Sequence, residues 1–299
     1  VKGKGVSATH NLLDGGMVDV SSVYASEMRQ QLAKDIEADK TDGPGVHTMS
    51  LSENHTMLFP FYVDVDLETP REHMPDEVLM RLCRICNQQV SRFFVSLPDV
   101  RCVICTKTGG SSPISPGEYK HGIHLHWPKI IIDVDKAYFL CASIVAGLAI
   151  ENWLDDLGVR SPNWEKVIDR QVYSGGLRMI GAPKAVKCSK GCKRDPAVYC
   201  SECSGSGYTY STSVYALHSV LDGDAVNEAD TDNMRSNTMR VLRATSVRCD
   251  ETQRETPGYA RYVGCPIPAI GKKTNKRKAT ESLGRGFRSI PPTEPMLIA

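Results

Sequence analysis

A chain of 299 residues with 41% apolar and 24% charged side chains has the make-up of an ordinary soluble globular protein and is long enough to bury a real core. A formal net charge of +1 excludes the strongly basic profile of a protein that coats nucleic acid, so any contact with nucleic acid has to be local. Eleven cysteines without an apolar signal segment fit a reducing, intracellular compartment, and no stretch approaches the roughly 20 apolar residues that span a bilayer, which leaves no membrane partner.

Residues 1 to 20, rich in Gly and Ser, read as a loose lead-in, and Val23, Met28, Leu32 and Ile36 then recur at helical spacing from Ser22 to about Lys40. This gives an N-terminal helical lead-in over 1–50. The apolar run Met57 to Val63 predicts a buried strand that delivers Asp64 and Asp66 at its C-terminal end. Pro75 to Leu97 predicts a helix with Val78, Leu82, Ile85 and Val90 on one face, and Arg101 to Thr106 a strand that stops at Gly109-Gly110. Strands are expected near Ile123 to Trp127 and Ile130 to Ile132, a helix from Asp135 to Leu157, and strands at Lys166 to Ile168 and Leu177 to Ile180 about a Ser-Gly-Gly turn. Met239 to Val247 reads as a strand or a short helix. Alternating strands and helices with tight strand-to-strand turns predict an α+β fold, a mixed β-sheet with flanking helices, over residues 51–270. The start at Val1 rather than Met is that expected of a segment of a longer polypeptide.

Asp64 and Asp66, two apart on one strand, point to one face, where paired carboxylates suit Mg2+ or Mn2+. Asp169, after Val167-Ile168, is placed like Asp64 and would complete a cluster for two-metal phosphoryl transfer. His124 and His126 share a face of the segment Lys120 to Pro128. They are compatible with a zinc site, with core imidazoles, or with phosphate binding beside Lys120 and an Arg fork such as Arg178. Cys188-x3-Cys192-x7-Cys200-x2-Cys203, in a Gly- and Ser-containing stretch, predicts a zinc-knuckle insertion over 188–203 that closes a structural Zn2+ site. The spacing Cys83-x2-Cys86 with Cys102-x2-Cys105 imitates a second such site, but these residues fall in a helix and an apolar strand, where cysteine serves as a small core side chain.

Asp64-Val65-Asp66, Gly122-Ile123-His124, and Asp169 with Leu177 to Lys184 stand in the order of the three motifs of archaeo-eukaryotic DNA primases. Lys120 to Pro128 and Leu177 to Lys184 are most similar to the primase domains of poxvirus- and asfarvirus-type primase-helicases. The resemblance covers residues 57 to 184 and implies an RRM-like catalytic core. It further implies catalytic metals on Asp64, Asp66 and Asp169, with Lys120, Gly122, His124, Arg178 and Lys184 at the incoming nucleoside triphosphate. Gly122 departs from the family pattern, which commonly has a small hydroxyl residue there. The activity implied is primase or primase-polymerase nucleotidyl transfer on single-stranded DNA, with a fused or associated helicase, at a viral replication site or in the host nucleus or cytoplasm.

The same residues fit two other readings. A metal-dependent nuclease would use the carboxylates with His124 as phosphate ligand or base, and a non-catalytic module would bind nucleic acid through the cysteines and the tail. That tail, 271–299, holds Lys272, Lys273, Lys276, Arg277, Lys278, Arg285 and Arg288 and is expected to be basic and flexible. Gly271-Lys272-Lys273-Thr274 lacks the first glycine of a phosphate loop, so this chain carries no helicase motor.

Overall fold

The computed structural model describes residues 9–12, 17–18, 22–43, 49–94, 97, 100–150, 154, 162–192, 200–249 and 252–257. All of them belong to one compact unit within residues 1–267. The basic tail and part of the predicted knuckle, 193–199, lie outside the described residues.

In chain order the strands are β1 (His10–Leu12), β2 (Met17–Val18), β3 (Leu51–Glu53), β4 (Phe59–Thr69), β5 (Arg101–Lys107), β6 (Ser112–Ser115), β7 (Glu118–Ile132), β8 (Ile168–Asp169), β9 (Leu177–Arg178), β10 (Ala185–Lys187), β11 (Tyr208–Tyr210), β12 (Tyr215–Asp222) and β13 (Ala225–Val226). The helices are α1 (Ser22–Asp42), α2 (Asp76–Ser91), α3 (Val134–Ala149), α4 (Trp164–Val167), α5 (Val172–Gly175), α6 (Glu228–Arg235) and α7 (Thr238–Ala244).

The principal sheet has the order β13-β12-β5-β7-β4-β8, with β6 against β7. Within it β4, α2, β5, β7, α3 and β8 form a β-α-β-β-α-β unit of strand order β5-β7-β4-β8, the split-βαβ arrangement expected of an RRM-like core. The α+β architecture is therefore as the sequence indicates, but the sheet expected to be mixed is antiparallel at every described pairing. Both helical crossovers skip a strand position, and the intervening neighbour runs the opposite way.

Alternation explains which side of this sheet is which. Val63, Val65 and Leu67 of β4, Ile123, Leu125 and Trp127 of β7, and Cys102 and Ile104 of β5 face the cluster built by α2 and α3. α2 presents Leu79, Leu82, Cys83, Cys86 and Val90, and Trp127 donates its indole N–H to Asn87 Oδ1 at 2.8 Å. Asp133 starts α3 by accepting the backbone N–H of Lys136 at 2.8 Å. The residues between, Asp64 and Asp66, Gly122, His124 and His126, and Val103, Cys105 and Lys107, point to the other side. There Val103 and Cys105 pack with residues of α1, β3, β12, α6 and α7.

Several local expectations are corrected. β4 continues to Thr69, because β7 gives it pairing partners as far as Tyr119, so Asp64 and Asp66 sit mid-strand rather than at its end. The two strands expected at 123–127 and 130–132 are one, β7, with an irregularity opposite Pro60 and Phe61. The strand expected at Lys166 to Ile168 is a helical turn up to Val167, closed by backbone bonds from Lys166 and Val167 to the Asn163 carbonyl, and only Ile168–Asp169 pairs with β4. α2 and α3 end sooner than expected, at Ser91 and Ala149, and Leu177–Arg178 is extended for two residues before the chain turns. The segment at Met239 is helical, capped by Asn237, which accepts the Arg240 N–H at 3.0 Å. The lead-in contains strands: β1 pairs with β2 and β3 in a sheet of order β2-β1-β3-β9.

That small sheet is anchored by Glu53, 2% exposed. Its carboxylate accepts hydrogen bonds from Ser246 at 3.0 Å, from the Val247 N–H at 2.8 Å and from Arg29 at 3.4 Å, and it lies 3.6 Å from His10 Nε2. Burial opposes ionisation, but these partners outweigh it and hold the carboxyl below its ordinary value. A depressed carboxyl stabilises the fold above its unfolded pKa, and that stabilisation is lost as pH falls through the folded value. We expect thermal stability of the wild type to fall steeply below about pH 4.5, and Glu53→Gln to start lower and flatten the acid limb; parallel curves for the two proteins would refute this role.

Candidate active site

The register of three strands assembles the acidic cluster. Asp64 lies opposite His124 across β4–β7 and opposite Asp169 across β4–β8, and Asp66 lies opposite Gly122. Directly opposed residues share a face, so the three carboxylates converge, each offering an oxygen within 4.8 Å of the others. Asp169 is fixed by accepting the Gln171 N–H at 2.8 Å. Asp64 Oδ1 is buried with no hydrogen-bond partner. Burial first, and then the charges of Asp66 and Asp169, push the Asp64 carboxyl up to about 8, against the pull of Arg178 and Lys120. A buried, unpartnered carboxylate oxygen amid like charges fits a divalent cation bound through hard oxygen ligands.

Cations line the same face. Lys120 Nζ pairs with Asp66 Oδ2 at 2.6 Å, and the Arg178 guanidinium stands 4.6 Å over the ring of Tyr215. β9, which carries Arg178, is held by its pairing with Ser52 of β3. His124 is 1% exposed, 3.6 Å from Asp64 Oδ1, and its ring stacks on Tyr215 at 3.5 Å between centroids. Burial, with His126, Arg178 and Lys107 nearby, holds its pKa well below the ordinary histidine value. Held toward its neutral form, the imidazole is suited to act as a hydrogen-bonding group. His126 is a core residue, 2% exposed and stacked on Tyr62, and not part of the cluster. Lys184 stands exposed at the foot of β10, its N–H bonded to Ser211 Oγ, and none of its described contacts reaches the carboxylates.

Two residues that the sequence reading missed stand in the site. Lys107, the last residue of β5, and Tyr215, the first of β12, face each other across the strands, 108 positions apart in sequence. Lys107 could have been found by counting in twos from Val103 and Cys105; nothing marked Tyr215 while β12 was unrecognised.

The second cluster stands on the ribbon formed by β10 and β11. Cys188, Cys192, Cys200 and Cys203 bring their sulfurs within 4.8 Å of one another, and Cys188 Sγ and Cys200 Sγ are 3.8 Å apart. Tetrahedral Zn2+ with Zn–S bonds of about 2.3 Å separates its sulfurs by roughly 3.8 Å, so the spacing fits a zinc ion. Left-handed Gly191, Ser204, Gly205 and Gly207 fold the turns, and the Cys203 and Glu202 backbone N–H groups hold the Cys200 thiol down to about 6. By contrast Cys83, Cys86 and Cys102 lie in one core and Cys105 in the other, on opposite sides of β5, so they cannot converge on one ion.

Two outcomes follow. Asp64→Asn relieves like-charge crowding, so the metal-free variant should be more stable than wild type by on the order of 1 kcal/mol, a few degrees in Tm, yet lose the Tm increase that Mn2+ gives the wild type; an undiminished Mn2+ response would remove Asp64 from the ligand set. Purified protein should release close to one zinc per chain to a chromogenic chelator after thiol modification, and Cys200→Ser should release none.

Among curated proteins no match is found for the chain. Residues 9–195, more than half of its length, match the family model described as the C962R protein N-terminal AEP domain. The match takes in β4, β5, β7, β8 and β9 and thus every carboxylate and cation of the cluster, while Tyr215 on β12 lies beyond it. With the split-βαβ sheet and the Asp64, Asp66 and Asp169 cluster already in place, the chain belongs to the archaeo-eukaryotic primase (AEP) family, with a domain of the C962R type found in asfarvirus-type large DNA viruses, a family whose members are generally primase-type nucleotidyltransferases.

Proposed function

We propose that this domain is a DNA primase or primase-polymerase that extends a 3′-hydroxyl on a single-stranded DNA template with nucleoside triphosphates. The observation that carries the reading is the convergence of Asp64, Asp66 and Asp169 within 4.8 Å on one face of the sheet, flanked by Lys120 and Arg178. Divalent cations of the Mg2+ or Mn2+ type, held by these carboxylates, would lower the barrier to in-line attack by stabilising charge on the attacking and leaving oxygens. The side chains do the rest. Lys120 and Arg178 bind the triphosphate and offset its charge, and the neutral His124 donates an N–H to it.

In this reading residues 51–270 are the catalytic domain, and the 1–50 lead-in braces it through His10 and Arg29 on Glu53. Zn2+ on the four cysteines stiffens the β10–β11 ribbon beside the site, Lys184 at its foot adds a phosphate contact, and the 271–299 tail adds template affinity. A fused or associated helicase would supply unwound template at a viral replication site.

The test is primer synthesis on single-stranded DNA with labelled nucleoside triphosphates and Mg2+ or Mn2+. Wild type should make labelled oligomers, and Asp64→Ala with Asp66→Ala should reduce them at least about 100-fold. Shortened template without oligomers would assign a nuclease instead, and template binding without any turnover would leave a binding module.

A further inference from the structure

Gly122 stands at the position of the motif where a small hydroxyl side chain would face the phosphates, and its backbone gives no reason for glycine, since it is absent from the left-handed residues. The reason is space. A Cβ at 122 would collide with the Tyr215 hydroxyl, and it would lie 2.6 Å from Lys107 Cε and 3.0 Å from Lys107 Nζ. The volume that a side chain at 122 would fill already holds a hydroxyl and an ammonium, brought from two other strands.

The pair is built rather than incidental. Lys107 and Tyr215 are opposed across β5–β12. The Tyr215 ring is 3% exposed and is fixed by stacking on His124 and by the Arg178 guanidinium 4.6 Å from its centroid, while Lys107 Nζ lies 6.0 Å from it.

Charge points to the ligand. Lys107, Lys120 and Arg178 balance Asp64, Asp66 and Asp169 three against three, so two divalent cations would leave a surplus that matches the tetra-anionic form of a nucleoside triphosphate. Without Lys107 the protein side of that balance is one charge short. Resting on the primase reading, we infer that the Lys107 ammonium and the Tyr215 hydroxyl form the triphosphate contact of this chain at motif position 122, replacing a side chain there. Lys107 touches phosphate directly, and Tyr215 contributes its hydroxyl and positions Arg178 and His124.

The experiment is equilibrium binding of a non-hydrolysable α,β-imido nucleoside triphosphate and of the matching monophosphate to the full chain with Mg2+, with unfolding midpoints recorded for each protein. Lys107→Met should weaken triphosphate binding about 10- to 100-fold, the range for a lost hydrogen bond to a charged group, and change monophosphate binding less than about twofold. Lys107→Arg should recover most of the loss, and Tyr215→Phe, which keeps the stacking ring, should weaken the triphosphate alone by several-fold. Gly122→Ala should reproduce the Lys107→Met loss by displacing both groups. If Lys107→Met fails to fold, Lys107→Gln is measured in the same way. Triphosphate binding at wild-type strength in these Lys107 variants would overturn the inference while leaving the primase reading intact. A wild type that does not prefer triphosphate over monophosphate would instead overturn the reading on which it rests.

Discussion

Like charges repel, and this fold spends much of its organisation on holding three of them together. Asp64, Asp66 and Asp169 come from β4 and β8, and the pairing of these strands with each other and with β7 brings them together. The ladders of β7 and β8 with β4 make the convergence a consequence of register, since a slip of one residue would turn the whole set into the α2–α3 core. Everything else at the site answers that crowding: Lys120 on Asp66, Arg178 brought by β9, and a dry His124 behind Asp64.

The two faces of the principal sheet divide the labour. One is a continuous apolar layer under α2 and α3, with Phe61 stacked on Trp127 at 5.0 Å and the four-residue turn of α5 giving Tyr173 to the same core. That rigid backing lets the opposite face carry charges and half-buried polar groups that would otherwise loosen it. The small β2-β1-β3-β9 sheet, locked by Glu53, is a second fixed body, and through the pairing of Ser52 with Arg178 it sets one cation against the carboxylates. Stability and chemistry thus meet in neighbouring residues, Glu53 through its carboxylate and Ser52 through its strand pairing with Arg178.

What could be read from the sequence followed from period-two alternation and from motif order. Asp64 with Asp66, Gly122 with His124, and Asp169 after two apolar residues were legible because each lies within a few positions of its own strand signal. So was α2, whose apolar stripe repeats at helical spacing, and the cysteine set at 188–203, whose partners are close in sequence. The misreadings have a common cause. Val167-Ile168 is as apolar as a strand but too short to choose between a turn of helix and a ladder, and tertiary pairing decided it. Lys107 and Tyr215 are far apart in the chain, and only the β5–β12 register unites them. Glu53, Ser246 and His10 gave no signal either, because a buried ion cluster drawn from both ends of the chain has no local pattern.

β12 lies beyond residue 195, where the family match ends. It covers the outer side of β5 along the length of that strand, from Tyr215 against Lys107 to Asp222 against Arg101. A polypeptide cut at the family boundary would therefore bare an apolar edge, Cys102 to Cys105, with its backbone donors and acceptors unpaired and open to another chain, and would leave Glu53 without Ser246 and Val247. The family-matched window and the piece that completes the fold are different objects: the first ends at residue 195, the second has to include the strand that seals the sheet and the Ser246–Val247 partners of Glu53.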